Sequence, residues 1–146
     1  MKKTSGIFLL NKNNELLITH PTNHPREHSW SVPKGEPDVN DDSLLTTALR
    51  EFYEETGLLL PIENICYLGS RVYKSNKKML FAFFIKDESM SDEDAVCNST
   101  FSCFGKTTPE NDEFLWISIY NEFQLKSLLH ESQIDIIDHI ITLIKK

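Results

Sequence analysis

Residues 41–57, DDSLLTTALREFYEETG, constrain the fold more than any other stretch, because they hold a complete set of helix signals in order. From Ser43 onward Leu44, Leu45, Ala48, Leu49 and Phe52 recur at spacings of three and four, a stripe that needs a core to pack on. Asp41, Asp42 and Ser43 are N-cap residue types just before it, and Gly57 suits the left-handed position that ends a helix. The spacing predicts a helix of about three turns. On it Glu51, Glu54 and Glu55 are three and four positions apart, so their side chains share neighbouring ridges of one surface. Three acids placed so repel one another unless a cation joins them. A local glutamate run is commonly just a solvated face. Here Arg50 adjoins the cluster and suits a bidentate carboxylate pair, and a Pro-Lys-Gly turn at Pro33–Gly35 leads into the helix over a short connection. Hard divalent cations such as Mg2+ take oxygen ligands, keep several waters and share themselves with substrate phosphates. The expectation from these residue types is a metal and phosphate site.

The same stretch resembles the Nudix box, G-x5-E-x7-R-E-U-x-E-E-x-G-U, where U is apolar. Gly35, Arg50, Glu51, Phe52, Glu54, Glu55, Gly57 and Leu58 fall on it, with the spacing from Arg50 to Leu58 intact. Six fixed residue types at roughly 6% usage match at a given start with odds on the order of one in ten million, so accident is a poor explanation. Two departures stand out. Asp42 replaces the first Glu, and six residues rather than five separate it from Gly35, which places one extra residue in the loop. In the family that first Glu mainly supports the loop and helix, so the departure bears on loop geometry more than on catalysis.

The resemblance extends to most of the chain. HSWSVPKGE, His28–Glu36, is similar to the segment before the box in members that act on dinucleoside polyphosphates. PENDEFLW, Pro109–Trp116, resembles the family's last strand, where a Glu six residues before the Trp serves as a further metal ligand or general base; Glu110 holds that position and Glu113 is its neighbour and competitor. The resemblance implies a Nudix-type α/β/α sandwich with a mixed β-sheet between helices, in one domain spanning 1–146. It implies metal ligands Glu51, Glu54 and Glu55, with a backbone carbonyl near Lys34 or Gly35 and with Glu110 in addition, holding Mg2+ or Mn2+. Glu110 is the expected base with a box glutamate such as Glu54 as the alternative, Arg50 orients the cluster, and Lys34 contacts phosphate. Tyr73 lies near the place where diadenosine-polyphosphate members stack a Tyr on adenine. The implied reaction is hydrolysis of a pyrophosphate bond in a nucleoside diphosphate linked to another moiety, a dinucleoside polyphosphate or nucleoside triphosphate first. ADP-ribose or another nucleotide sugar is the alternative, as is a non-catalytic nucleotide-sensing module.

Composition narrows the partners. At 146 residues and 40% hydrophobic content the chain is long enough for a proper core and short enough for one domain. A net charge of −7 opposes nonspecific attraction to nucleic acid or anionic membrane, because a duplex binder needs a basic footprint. The expected partner is a small nucleotide, bound by a monomer or homodimer. No stretch reaches the roughly 18 apolar residues of a membrane span, and MKKTSGIFLLNKNNE has too short an apolar run for a signal peptide. Cys66, Cys97 and Cys103 form neither an even set nor a Cys-x-x-Cys pair, which fits a reducing cytoplasm.

Around the helix the pattern is of strands. Ile7–Leu10 and Glu15–Thr19 flank an Asn-rich turn, Trp30–Val32 reads as a short strand, Ile65–Tyr73 and Met79–Ile85 bracket a Ser-Asn-Lys-Lys turn, and Phe114–Ile119 reads as the last strand. Leu125, Leu128, Leu129, Ile136, Ile137, Ile140 and Ile144 predict one or two C-terminal amphipathic helices. Lys86–Asn111 is a long polar segment without periodicity, read as a lid or a disordered excursion, with Phe101 and Phe104 anchoring it or stacking on a base. His20, His24 and His28 recur every four residues, but Pro21 and Pro25 preclude one helical face, so they read as a loop at the substrate entrance rather than a metal triad. Arg71, Lys74, Lys77 and Lys78 read as strand-edge protection before a phosphate clamp.

Overall fold

A computed structural model describes residues 1–89, 100–103, 106–109 and 111–145. Strand alternation decides the architecture. In β1 (Lys2–Leu10), Phe8 and Leu10 enter one apolar cluster while Ile7 and Leu9 enter another; in β5 (Lys78–Lys86), Leu80, Ala82 and Phe84 go with the first and Phe83 and Ile85 with the second. Successive side chains of a strand point to opposite faces, so two clusters require a sheet covered on both sides. β2 (Glu15–Pro21) divides the same way, Leu16 and Ile18 against Leu17.

The sheet order is β4-β5-β1-β2-β8, with β4 at Cys66–Val72 and β8 at Asn111–Ser118, and β3 (Lys34–Gly35) pairing with β1 off this path. β1 runs parallel to β5 over nine paired residues and antiparallel to β2 and β3, so the sheet is mixed. One face carries α1 (Leu44–Thr56), whose Ala48 and Phe52 are fully buried; the other carries α2 (Glu122–Leu128) and α3 (Ile134–Ile144) through Leu125, Ile136, Ile137 and Ile140. The fold is the mixed α/β/α sandwich that the resemblance implies.

The helix signals do what their chemistry requires. Ser43 accepts the Thr46 N–H at 3.1 Å, and Gly57, at φ 75°, gives its N–H to the Tyr53 carbonyl at 2.8 Å. A cap is worth about 1 kcal/mol and a fully buried Phe side chain about 1.5–3 kcal/mol, so the buried stripe rather than the caps fixes where α1 lies.

Two readings change. Trp30–Val32 is not a strand: Trp30 bridges Leu129, Ser31 bridges Thr19, and the Val32 N–H goes to the Gln133 side chain at 3.0 Å. Three successive residues reach three partners, and the short strand forms instead at Lys34–Gly35, opposite Ser5 and Gly6. The polar segment after β5 is also not all irregular, since β6 (Thr100–Cys103) pairs antiparallel with β7 (Lys106–Pro109). Glu110, Phe104 and the side chain of Phe101 lie outside the described residues. Among the described residues no helix is long and apolar enough to cross a membrane.

Candidate active site

α1 and β3 build the site between them. Arg50 is its centre: Nε and Nη2 donate to Asp41 at 3.0 and 2.8 Å, Nη2 also to the Glu36 carbonyl at 3.0 Å, and Nη1 to Glu51 at 2.9 Å and Glu54 at 3.3 Å. One guanidinium thus bridges three acids and leaves the cluster net negative. Asp41 further accepts the Asp38 N–H at 2.8 Å and the Thr47 hydroxyl at 2.9 Å. The Arg50 hydrogen bonds, with that Asp38 N–H, hold the Asp41 carboxyl well below the usual carboxylate range, and Asp41 in turn fixes Arg50 more firmly in its charged form.

Asp41 corrects the reading of the box. Asp42, chosen by counting back from Arg50, is exposed, whereas the Asp41 side chain is 5% exposed and takes the arginine. Asp41 sits six positions after Gly35, as the pattern asks, so the extra residue falls between the acid and Arg50 rather than before the acid.

Glu51 lies over β3. A Cβ on Gly35 would fall inside the Glu51 carboxyl group, so this cradle exists only with glycine. Glu55, one turn further along α1, is 5% exposed; it accepts the Lys34 N–H at 3.0 Å and the Asn111 side-chain amide at 2.9 Å. Asn111, at the start of β8, was invisible to local pattern because its partner is 56 residues away. Glu113 pairs with Arg26 at 2.8 Å.

Beside Glu55 opens a cavity of about 520 Å3, lined by Lys34, Tyr73, Lys78, Asn111, His130 and the loop carrying His24 and His28. His20 is instead buried in β2 with Nε2 near the Pro25 carbonyl, so the three histidines do not converge. Tyr73 is 8% exposed, its ring tilted on His130 at 4.9 Å, which leaves little of its face for a ligand. His130 carried no signal in the sequence.

Among the described residues no three His, Cys, Asp or Glu side chains converge as a metal cage. The donor set still suits a divalent cation, because Mg2+ needs only one or two carboxylates beside water and phosphate oxygens. Glu51, against Gly35, shares one arginine nitrogen with Glu54, which brings two carboxylates together beside β3.

The sequence matches the NUDIX domain family over residues 2–130. The chain belongs to the NUDIX family. It is therefore a Nudix hydrolase, of the class acting on acid anhydrides. A 17.7 kDa protein from the e-segB intergenic region of Enterobacteria phage T4, itself uncharacterized, is 31% identical over 121 residues, 78% of this chain and 80% of the phage protein. The NUDIX domain of Shewanella oneidensis NrtR, solved with ADP ribose, superposes with a TM-score of 0.74 at 18% identity, over 99% of this chain and 88% of that one. The Caenorhabditis elegans Ap4A hydrolase binary complex gives 0.71 at 17% identity, over 99% and 98%. At such identities these two likenesses speak for the Nudix fold.

Proposed function

We propose that this Nudix hydrolase is metal-dependent and cleaves a nucleoside diphosphate linked to another moiety, with a dinucleoside polyphosphate or nucleoside triphosphate as substrate. The observation that carries the reading is β3, where Glu51 of the Arg50 cluster lies against Gly35 and Glu55, holding the Lys34 N–H, lines the cavity. Glu51, Glu54 and Glu55 take the role of ligands to Mg2+ or Mn2+, with the Gly35 carbonyl beside them. Such an ion supplies charge neutralisation on phosphate oxygens and acidifies the attacking water. Arg50 spaces the glutamates and Lys34 draws phosphate toward them. Glu110, from its sequence position, takes the attacking water's proton or adds a ligand; the engagement of Glu113 with Arg26 supports giving the role to Glu110. Tyr73 contributes an edge to the substrate wall rather than an open stacking face. A small nucleotide fits the cavity, whose volume is in the ordinary range for ligand pockets. We read residues 1–146 as one domain in a cytoplasmic setting. ADP-ribose is the second reading, favoured by the likeness to the ADP-ribose-bound NrtR domain.

The test is a panel of dinucleoside polyphosphates, triphosphates, ADP-ribose and other nucleotide sugars, assayed with Mg2+ and then Mn2+. The expected result is turnover of the first two classes, lost on chelation. Preferential turnover of ADP-ribose would move the assignment to the second reading, and no turnover of any would overturn it.

Gly35→Ala offers a separate check. The added methyl displaces the Glu51 carboxylate, the free end of a flexible side chain, so the fold should tolerate it. Mn2+ affinity by calorimetry is expected to fall about 10–100-fold, with an unfolding midpoint close to the parent's. Unaltered affinity would remove Glu51 from the ligand set.

A further inference from the structure

We propose that His130 is a substrate-binding residue, donating a hydrogen bond from a neutral Nε2–H to a phosphate oxygen of a nucleotide held between Lys34 and Lys78. This rests on the reading that a nucleotide occupies the cavity, and it adds a residue that lies outside the Nudix box.

The tautomer follows from geometry. The His130 ring caps a 3-10 turn at Glu131–Gln133, and its Nδ1 faces the Ser132 backbone N–H at 3.2 Å and the Ser132 hydroxyl at 2.8 Å. A backbone N–H can only donate, so Nδ1 keeps its lone pair and the proton of the neutral ring sits on Nε2. A cationic ring would set an Nδ1–H against that N–H.

The surroundings press the same way. Burial lowers the His130 pKa below the ordinary histidine value, Lys34 and Lys78 lower it further, and Glu131 alone pulls it up. The Tyr73 ring packs on the imidazole, and the Tyr73 hydroxyl is turned to Thr4 at 3.5 Å. Nε2 has no protein partner among the described residues, yet it is absent from the sealed, unpartnered polar atoms of the interior, so it stays open where His130 lines the cavity. Lys34, Lys78 and His130 thus line one cavity, two cations beside a neutral donor, a combination suited to an anion rich in acceptors.

His130→Asn tests this, because Asn still caps the turn while removing Nε2–H. With the substrate found in the panel, KM is expected to rise about tenfold with kcat within about twofold, the equivalent of about 1.4 kcal/mol and in keeping with one hydrogen bond to a charged group. Nitrogen-15 NMR of the parent protein should find Nδ1 unprotonated, protonation of the ring only below the usual histidine pKa, and a shift of the Nε2 signal on adding a methylene-bridged ATP analogue with Mg2+. If the analogue binds the parent but leaves the Nε2 signal and the His130→Asn affinity unchanged, the proposal falls while the nucleotide reading stands. If the parent neither binds the analogue nor cleaves any member of the panel, both fall.

Discussion

Glu54→Gln is expected to lower kcat by about 10²–10³-fold, the scale seen when one charge-stabilising group is removed from a reaction centre, while leaving the unfolding midpoint nearly unchanged. The asymmetry comes from exposure. The Glu54 side chain is 41% exposed and its bond to Arg50 is 3.3 Å, a surface pair worth about 0–1 kcal/mol. Glu55 behaves differently when cut back. In Glu55→Gln the Asn111 amide can turn its oxygen toward the new NH2 while the Lys34 N–H keeps its acceptor, so the fold survives and turnover falls on the same scale. In Glu55→Ala both donors lose their partner in a buried place, which costs about 1–3 kcal/mol for each. Paired kcat and thermal-unfolding measurements on the three variants separate chemistry from folding. Unaltered turnover in Glu54→Gln and Glu55→Gln together would end the catalytic assignment.

Asp41→Asn is expected to lower the thermal midpoint by several degrees and turnover by about 10–100-fold, because Asp41 anchors the arginine that spaces Glu51 and Glu54. The pH dependence has a defined sign. The folded pKa of Asp41 lies below its unfolded value near 3.8, so the contribution is fully present above that value and is lost as pH falls through the folded one. The gap in midpoint between parent and Asp41→Asn should be widest near neutrality and close in strong acid. Asp42→Asn, at an exposed position with no hydrogen bond or ion pair among the described residues, should match the parent throughout; a loss equal to that of Asp41→Asn would mean the extra loop residue lies elsewhere.

What the sequence revealed was what is local. The stripe from Leu44 to Phe52, the Ser43 cap and the Gly57 stop act within one helix, and spacing of three and four encodes them directly. The short apolar runs of β1, β2 and β5, bounded by turn residues, made strands legible for the same reason. Asp41 was missed because a helical count runs backward from Arg50, whereas the loop before the cap has no period and admits an extra residue anywhere along it. Asn111 and His130 were missed for a stronger reason: their meaning lies in contacts with Glu55 of α1 and with the Tyr73 ring, far away in sequence. Trp30–Val32 has strand-like composition, but composition does not count partners. Trp30 and Ser31 were each claimed by a different bridge.

The nine-residue parallel pairing of β1 with β5 sets a schedule for making the protein. Lys2 is in register with Lys78 and Leu10 with Lys86, so at 5–20 residues per second the first strand waits roughly 4–15 s on the ribosome for its partner. Until then the hairpin with β2 engages β1 only at Leu10, and the edge that β5 will cover along Ile7, Phe8, Leu9 and Leu10 is left open. The α1 glutamates are synthesised in that interval, before the sheet that supports them exists, and long-range pairing of this kind is slow to form. The most aggregation-prone moment for this chain therefore comes during synthesis, and slowing elongation between the two strands would lengthen it.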